Sequence, residues 1–321
     1  MFYLCSTGYF CLCLNLHLLM KERNFAPKIN EMLMALNKKI MGSLLGLMVG
    51  LPVMGQFTHG TTGLLSMPTA DMQKDRTVML GGGYLSKYAT PYRWNYDTWN
   101  YYANITFFPW LEVSYTCTIF DGDILRGNTR LHVMNQDRNF AIRLRAWKEG
   151  WWKPWTPQIV LGVNDFTTGS GEDYASMGVG GDGNGYWNRY YVAMTKHVDF
   201  QSVGELGLHA SYVYNERTDN PLNGVAVGMN FRFHVKGESF WTQLLNGLNL
   251  MAEAYPANGN GGKKTQSIDG EKHYSRGLSA GKYDFNVGAS YSVWKDRINL
   301  YGHLYGCKDF STGLQFKICL K

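Results

Sequence analysis

From Thr77 to the C-terminal Lys321 the chain divides into about twelve segments in which apolar and polar residues alternate with period two. A strand with that pattern presents one face to apolar surroundings and the other to polar ones. In Phe140-Ala-Ile-Arg-Leu-Arg-Ala-Trp147, Phe140, Ile142, Leu144 and Ala146 share one face, and Ala141, Arg143, Arg145 and Trp147 share the other. Val225, Val227, Met229, Phe231 and Phe233 oppose Ala226, Gly228, Asn230, Arg232 and His234 in the same way, and Leu314, Phe316, Ile318 and Leu320 oppose Gln315, Lys317, Cys319 and Lys321.

A water-soluble sandwich can alternate too, so the connections must decide. Phe108-Pro109-Trp110, 197–202 and 294–297 are tight, whereas 121–138, 165–188 and 255–283 are long, polar and Gly-rich, and the two kinds interleave along the chain. A barrel with both termini in the periplasm sorts its connections this way, with long loops outside and short turns inside; a sandwich has no reason to. The expected fold is therefore all-β: a transmembrane, antiparallel outer-membrane barrel of about twelve strands. Those strands are expected near 77–88, 100–108, 111–120, 139–148, 158–164, 189–196, 203–214, 224–233, 248–254, 284–293, 298–305 and 313–320.

Lys38-Lys39 followed by the apolar run Ile40–Met54, with Val53 and Gly55 as small residues before Gln56, reads as a cleaved export signal. Met32 or Met34 then serves as the start, and the preceding residues are an over-extended reading frame. The expected organisation is a leader over 1–55, a periplasmic segment or plug over 56–76, and a barrel over 77–321. No cysteine follows the apolar run, which argues against lipid attachment.

The first 55 residues hold five Lys/Arg and two Glu, so about +3 of the net charge of +6 remains for the rest, with no basic stripe to suit nucleic acid. Cys117 is expected towards lipid and Cys307 and Cys319 towards the interior, all three as free thiols. Asp182-Gly-Asn-Gly185 lacks the ligand-bearing Glu of a calcium loop. No metal and no cofactor is expected.

Gly60-Thr-Thr-Gly-Leu-Leu-Ser-Met-Pro-Thr-Ala70 resembles the G-x-x-G-L-x-x-x-P-T-A motif that opens the YjbH family. Phe108-Pro-Trp-Leu-Glu-Val113, Asp137–Leu144 and Trp152-x-Pro154 through Asp165 resemble further family stretches in the same order, so the likeness spans roughly 60–235. The resemblance implies an outer-membrane barrel encoded with exopolysaccharide and group 4 capsule export machinery. It implies polysaccharide and periplasmic export proteins as partners, beside the lipid of the outer membrane. Long family members carry several hundred more residues, which this chain lacks. A monomer is expected.

By parity Glu112, Arg143, Arg145, Lys196, Glu205, His209, Arg232 and Lys317 project into the lumen. They suit either a polar path for a glycan or a mutually neutralising network that fills the space, since buried charges need partners. Twelve strands lie between filled eight-stranded barrels and open sixteen-stranded porins, so both readings stand. Tyr102, Trp147, Tyr190, Tyr301 and Tyr305 are expected inward, where they can stack on sugar rings or fill the core. Trp110, Trp151, Trp152, Trp155, Trp241 and Trp294 fall at the short-turn end and read as an interfacial girdle. Phe240–Leu245 reads as an interfacial helical turn.

His209-x-Ser211 resembles the His-x-Ser pair of an outer-membrane phospholipase, but parity turns it away from lipid and no orienting partner is evident, so no enzyme is expected. The motif residues Gly60, Gly63, Leu64, Pro68, Thr69 and Ala70 lack sustained alternation. Part of 60–70 is expected to fold against the periplasmic mouth or enter the lumen beside Gly81 and Gly83; a detached periplasmic tail is the alternative.

Overall fold

The computed structural model describes residues 58–86, 97–126, 129–166, 188–214, 224–256, 265–268, 271–274, 283–294, 296–307 and 309–320. The expected leader, the expected cleavage site before Gln56, Asp182–Gly185 and most of the long loops lie outside these residues.

Twelve strands close into one antiparallel barrel. They are β1 (Thr77–Leu85), β2 (Thr98–Phe108), β3 (Leu111–Arg126), β4 (Thr129–Trp147), β5 (Gln158–Asn164), β6 (Arg189–Asp199), β7 (Gly204–Tyr214), β8 (Gly224–Phe233), β9 (Leu248–Pro256), β12 (Tyr283–Val293), β13 (Ile298–Tyr305) and β14 (Asp309–Cys319), each at one of the expected segments. A separate small hairpin of β10 (Thr265–Ile268) and β11 (Glu271–Tyr274) lies in the connection between β9 and β12. Closure comes from β1, which pairs Thr77 with Cys319 of β14 on one side and with Thr106 of β2 on the other. One stretch differs from expectation. Within the expected loop 121–138, residues 121–126 and 129–138 are strand: β3 and β4 continue pairing as far as Arg126↔Thr129. The ladder satisfies the main chain there without needing an apolar face, so hydropathy does not register it.

The wall is inverted relative to a soluble protein. Leu80, Phe140, Leu144, Leu161, Val192, Leu208, Val225, Val227, Phe285, Leu300, Phe316 and Ile318 are exposed around the outside, while Asn104, Glu112, Ser114, Arg143, Asn230, Asn249, Asn299 and Gln315 are buried inside. Such a surface is stable where hydrocarbon is the solvent, and closure leaves no unpaired edge in it. No helix among the described residues is long and apolar enough to cross a membrane.

At the short-turn end, Trp110, Trp151, Trp152, Trp155 and Trp294 stand out from the turns. The helix α1 (Phe240–Asn246) follows β8; its N-cap Ser239 accepts a hydrogen bond from the Thr242 amide, and it buries none of its residues. Cys307 is not inside: it sits exposed in the β13–β14 turn with φ of 54°, while Cys319, inward by parity, is exposed at the strand end. The outward Cys117 is covered by its neighbours, and all three thiols are free.

Candidate functional site: the filled lumen

The residues preceding β1 run through the barrel. From Thr58 to Gln73 every residue is buried except the half-buried His59, and the chain re-emerges at the exposed Lys74–Arg76. Its path is set locally. Gly60 adopts φ of +65°, and a Cβ there would lie 2.5 Å from Thr116 Oγ1 and 2.6 Å from Tyr102 Cβ, so glycine is required on both counts. Gly63 bridges Pro68, and the Leu64 amide donates to the Met67 carbonyl at 3.1 Å, closing a small loop. The Thr58 hydroxyl donates to the Leu65 carbonyl at 3.0 Å, drawing the start of the segment onto this loop.

The wall holds this segment mainly by its main chain. Glu253 of β9 accepts from the amides of Leu65, Ser66 and Met67 at 2.8–3.1 Å, a carboxylate seated in a concavity of successive N–H groups. Glu112 of β3 accepts from the Thr62 amide and hydroxyl, both at 2.9 Å. Arg143 of β4 donates to the Thr69 carbonyl and, at 2.9 Å, to that of Asp71. Arg189 of β6 donates to the Ser66 carbonyl at 2.6 Å, and Thr195 accepts from the Ala70 amide at 2.9 Å. Asn104 and Ser114 both donate to the Gly60 carbonyl, and Gln158 donates to that of Ala70. The apolar side chains fit where the wall has none: a Cβ on Gly228 would meet Leu64 at 2.5 Å and Met67 at 2.6 Å, and one on Gly288 would meet Leu65 at 2.7 Å.

Gly81 does not receive the segment. The space beside it is taken by the Tyr102 ring, whose hydroxyl lies 2.4 Å from where its Cβ would be. Parity identifies inward glycines without saying which is filled by a neighbouring strand.

Five of the expected residues, Glu112, Arg143, Glu205, Arg232 and Lys317, stand in ion pairs. Arg143 and Glu112 form a fully buried ion pair at 2.8 Å, Lys317 pairs with Asp296 at 3.1 Å, and Arg232 with Glu205 at 3.4 Å. Arg145 is half-buried, closer than Arg143 to the short-turn end. Lys196 is a correction. Parity on β6 puts the buried Tyr191, Ala193 and Thr195 inside, so Lys196 lies on the other face, at the rim, bonding Glu149 at 2.7 Å.

Tyr102, Tyr301 and Tyr305 are inward and buried, with Tyr301 donating to Gln315 at 2.8 Å. Tyr190 and Trp147 are two further corrections. Tyr190 shares the outward face of Val192 and Met194 and meets Tyr214, while the buried aromatic is its neighbour Tyr191. Trp147 lies beyond a register shift between β4 and β5, which ends the alternation and leaves it exposed against Trp151.

His209 is buried, with its ring nitrogens on Thr195 Oγ1 at 2.9 Å and Asn230 Oδ1 at 2.7 Å. Both are engaged elsewhere than Ser211, so the pair does not assemble as nucleophile and base.

Sequence reasoning missed Glu253, Arg189, Gln158 and Thr195. A lone carboxylate in the apolar stretch Leu248–Tyr255 was the available signal. Its partners are amides, which sequence does not display.

The family model described as YjbH, "Exopolysaccharide biosynthesis protein YbjH", matches residues 55–321. The chain belongs to the YjbH family. Over 122 residues it is 30% identical to the "Uncharacterized lipoprotein YjbH" of Escherichia coli strain K12, a stretch that makes up 34% of this chain and 14% of that protein. This YjbH-family chain thus matches only a small part of its curated relative's length. Among solved structures it is similar to LpxR from Salmonella typhimurium, at 11% identity and a TM-score of 0.38 over 76% of this chain and 100% of that one. It is also similar to the Acinetobacter baumannii outer membrane protein Omp33, at 9% identity and a TM-score of 0.34 over 77% and 99%.

Proposed function

We propose that this YjbH-family protein is exported through a cleaved signal peptide to the outer membrane. There, as a monomer with periplasmic partners, it assists export or assembly of an exopolysaccharide at the cell surface. The observation that carries the reading is an apolar-walled barrel whose family is described by exopolysaccharide biosynthesis and whose interior is lined by polar, charged and tyrosine side chains. The lumen is occupied by residues 58–73, so the resting state is closed, and export requires that segment to move.

The test is deletion of the gene, with surface glycan quantified before and after re-expression. Loss restored by the wild-type chain supports the role; unchanged glycan sinks it. The filled lumen also favours a second reading, a structural or adhesive barrel acting through its outer loops. Removing 257–282 separates the two, because adhesion is lost while glycan output persists.

A further inference from the structure

We infer that the lumen is a binding path for an extended, hydroxyl-rich and sparsely charged polymer, and that residues 58–71 are a displaceable stand-in for it. The sugar identity of that polymer rests on the exopolysaccharide reading above; the site itself rests on the contacts of the segment.

Nearly all wall contacts go to amides and carbonyls. Asn100, Asn104, Ser114, Thr116, Gln158 and Thr195 are spread along the segment, each serving one main-chain group. Such groups recognise a succession of donors and acceptors on an extended backbone, which a chain of sugar hydroxyls and ring oxygens also offers. Tyr102, Tyr191, Tyr255, Tyr301 and Tyr305 are buried beside this row and supply flat faces of the kind that sugar rings stack on.

The wall is also built to survive withdrawal of the segment. The Arg143–Glu112 pair at 2.8 Å lies wholly within the wall, so neither charge is orphaned. Glu253 keeps Asn286 at 2.8 Å, and Arg189 keeps Asn164 and Tyr255, both at 3.3 Å. Glu253 on one side and Arg189 with the half-buried Arg145 on the other are thereby offered to a newcomer, too few and too mixed in sign for a polyanion and suited to a sparsely charged polymer. The apolar hold comes from Leu64, Leu65 and Met67, which pack against side-chain-free Gly228 and Gly288, with Ala70 and Met72 also in the buried cluster, and the segment leaves the barrel at the exposed Lys74–Arg76 without a disulfide.

The experiment uses the full chain in planar bilayers, with barrel assembly checked by heat-modifiable mobility. Wild type is expected to be closed, and L65S/M67S, which loosens the segment without touching the wall, to carry roughly tenfold more current, the shift that about 1.4 kcal/mol produces. Maltohexaose is expected to block that current and oligogalacturonate to block it less. Glu253→Gln in the loosened background is expected to weaken the block by roughly tenfold, the loss of one hydrogen bond to a charged group. L65C/G288C is expected to stay closed until reduced, which reports the same displacement should the serine variant fail to assemble. An assembled, loosened barrel that stays closed overturns the inference, and so does a conducting one that maltohexaose does not block. A gene deletion without effect on surface glycan overturns the proposed function and leaves the bilayer result standing.

Discussion

The luminal segment Thr58–Gln73 and the helix α1 both lie outside the wall, and they put similar side chains into opposite surroundings. Leu64, Leu65 and Met67 are no more than 3% exposed, whereas Phe240 is 64% and Trp241 70% exposed. Apolarity does not separate them, because in this protein the outside is as apolar a destination as the core. The backbone does. The helix closes its own hydrogen bonds, with Ser239 at its start and Gly247 donating to Gln243 and Leu245 at its end, so it can rest against an interface. Thr58–Gln73 has one bridge and a few internal bonds, and its remaining amides and carbonyls must find partners in the wall.

That contrast breaks most sharply at Glu112. Replacing it by alanine removes the partner of fully buried Arg143 and two hydrogen bonds to Thr62. An uncompensated buried charge costs about 3–5 kcal/mol, so the denaturation midpoint in detergent should fall by a large fraction of the total stability. The double variant with Arg143→Met should recover most of the loss. If the single variant is as stable as wild type, the luminal segment is not held by the wall in the way described.

Much of the fold was legible because period two and loop parity are properties of the sequence itself. The twelve strands and the inward placement of Arg143, Arg232, Tyr102 and Tyr301 could be read from them, whereas the sequence left open whether the inward charges pair or line a path. What failed did so where the alternation is interrupted or its phase is ambiguous. The shift after Arg145 releases Trp147, and in Tyr190-Tyr191 either residue fits the pattern until the pairing Gly162↔Tyr191 fixes which faces the lumen. The seat of the luminal segment was illegible because Glu253 binds amides, which every residue carries, and because the choice among inward glycines depends on neighbours several strands away.

A smaller effect sharpens the comparison at the short-turn mouth, where the end of the luminal segment meets a turn. His197 lies 3.3 Å from Asp71 through Nε2 and 2.7 Å from Glu149 through Nδ1, and Glu149 also bonds Lys196 at 2.7 Å. Burial raises the Glu149 carboxyl, but the hydrogen bonds from Lys196 and His197 outweigh it and hold the group below its ordinary value of 4.5. A folded-state value below the unfolded one gives stability that is complete above about pH 4.5 and is lost as pH falls through the folded value. The groups are partly exposed, so the contribution is about 0.2–1 kcal/mol. Glu149→Gln should lower the midpoint slightly at neutral pH and flatten its fall below pH 4.5; an unchanged acid slope would remove Glu149 as its source.

The smallest effect on the barrel should come from α1, and it is the most discriminating. Phe240 and Trp241 touch each other, with ring centroids 5.4 Å apart, and nothing in the helix is buried. Removing them therefore deletes no core contact, and the F240S/W241S variant should unfold within about 0.5 kcal/mol of wild type in detergent. In a bilayer the same rings belong at the headgroup level, where aromatic side chains are anchored by having one apolar and one wet side. Brominated lipid should then quench Trp241 in a variant whose other tryptophans are replaced by phenylalanine, and bromines near the headgroup should quench more than those near the chain end. If bromines at every depth leave Trp241 unquenched, the helix faces water. The two non-wall segments would then differ because one is covered and the other is waiting for a protein partner.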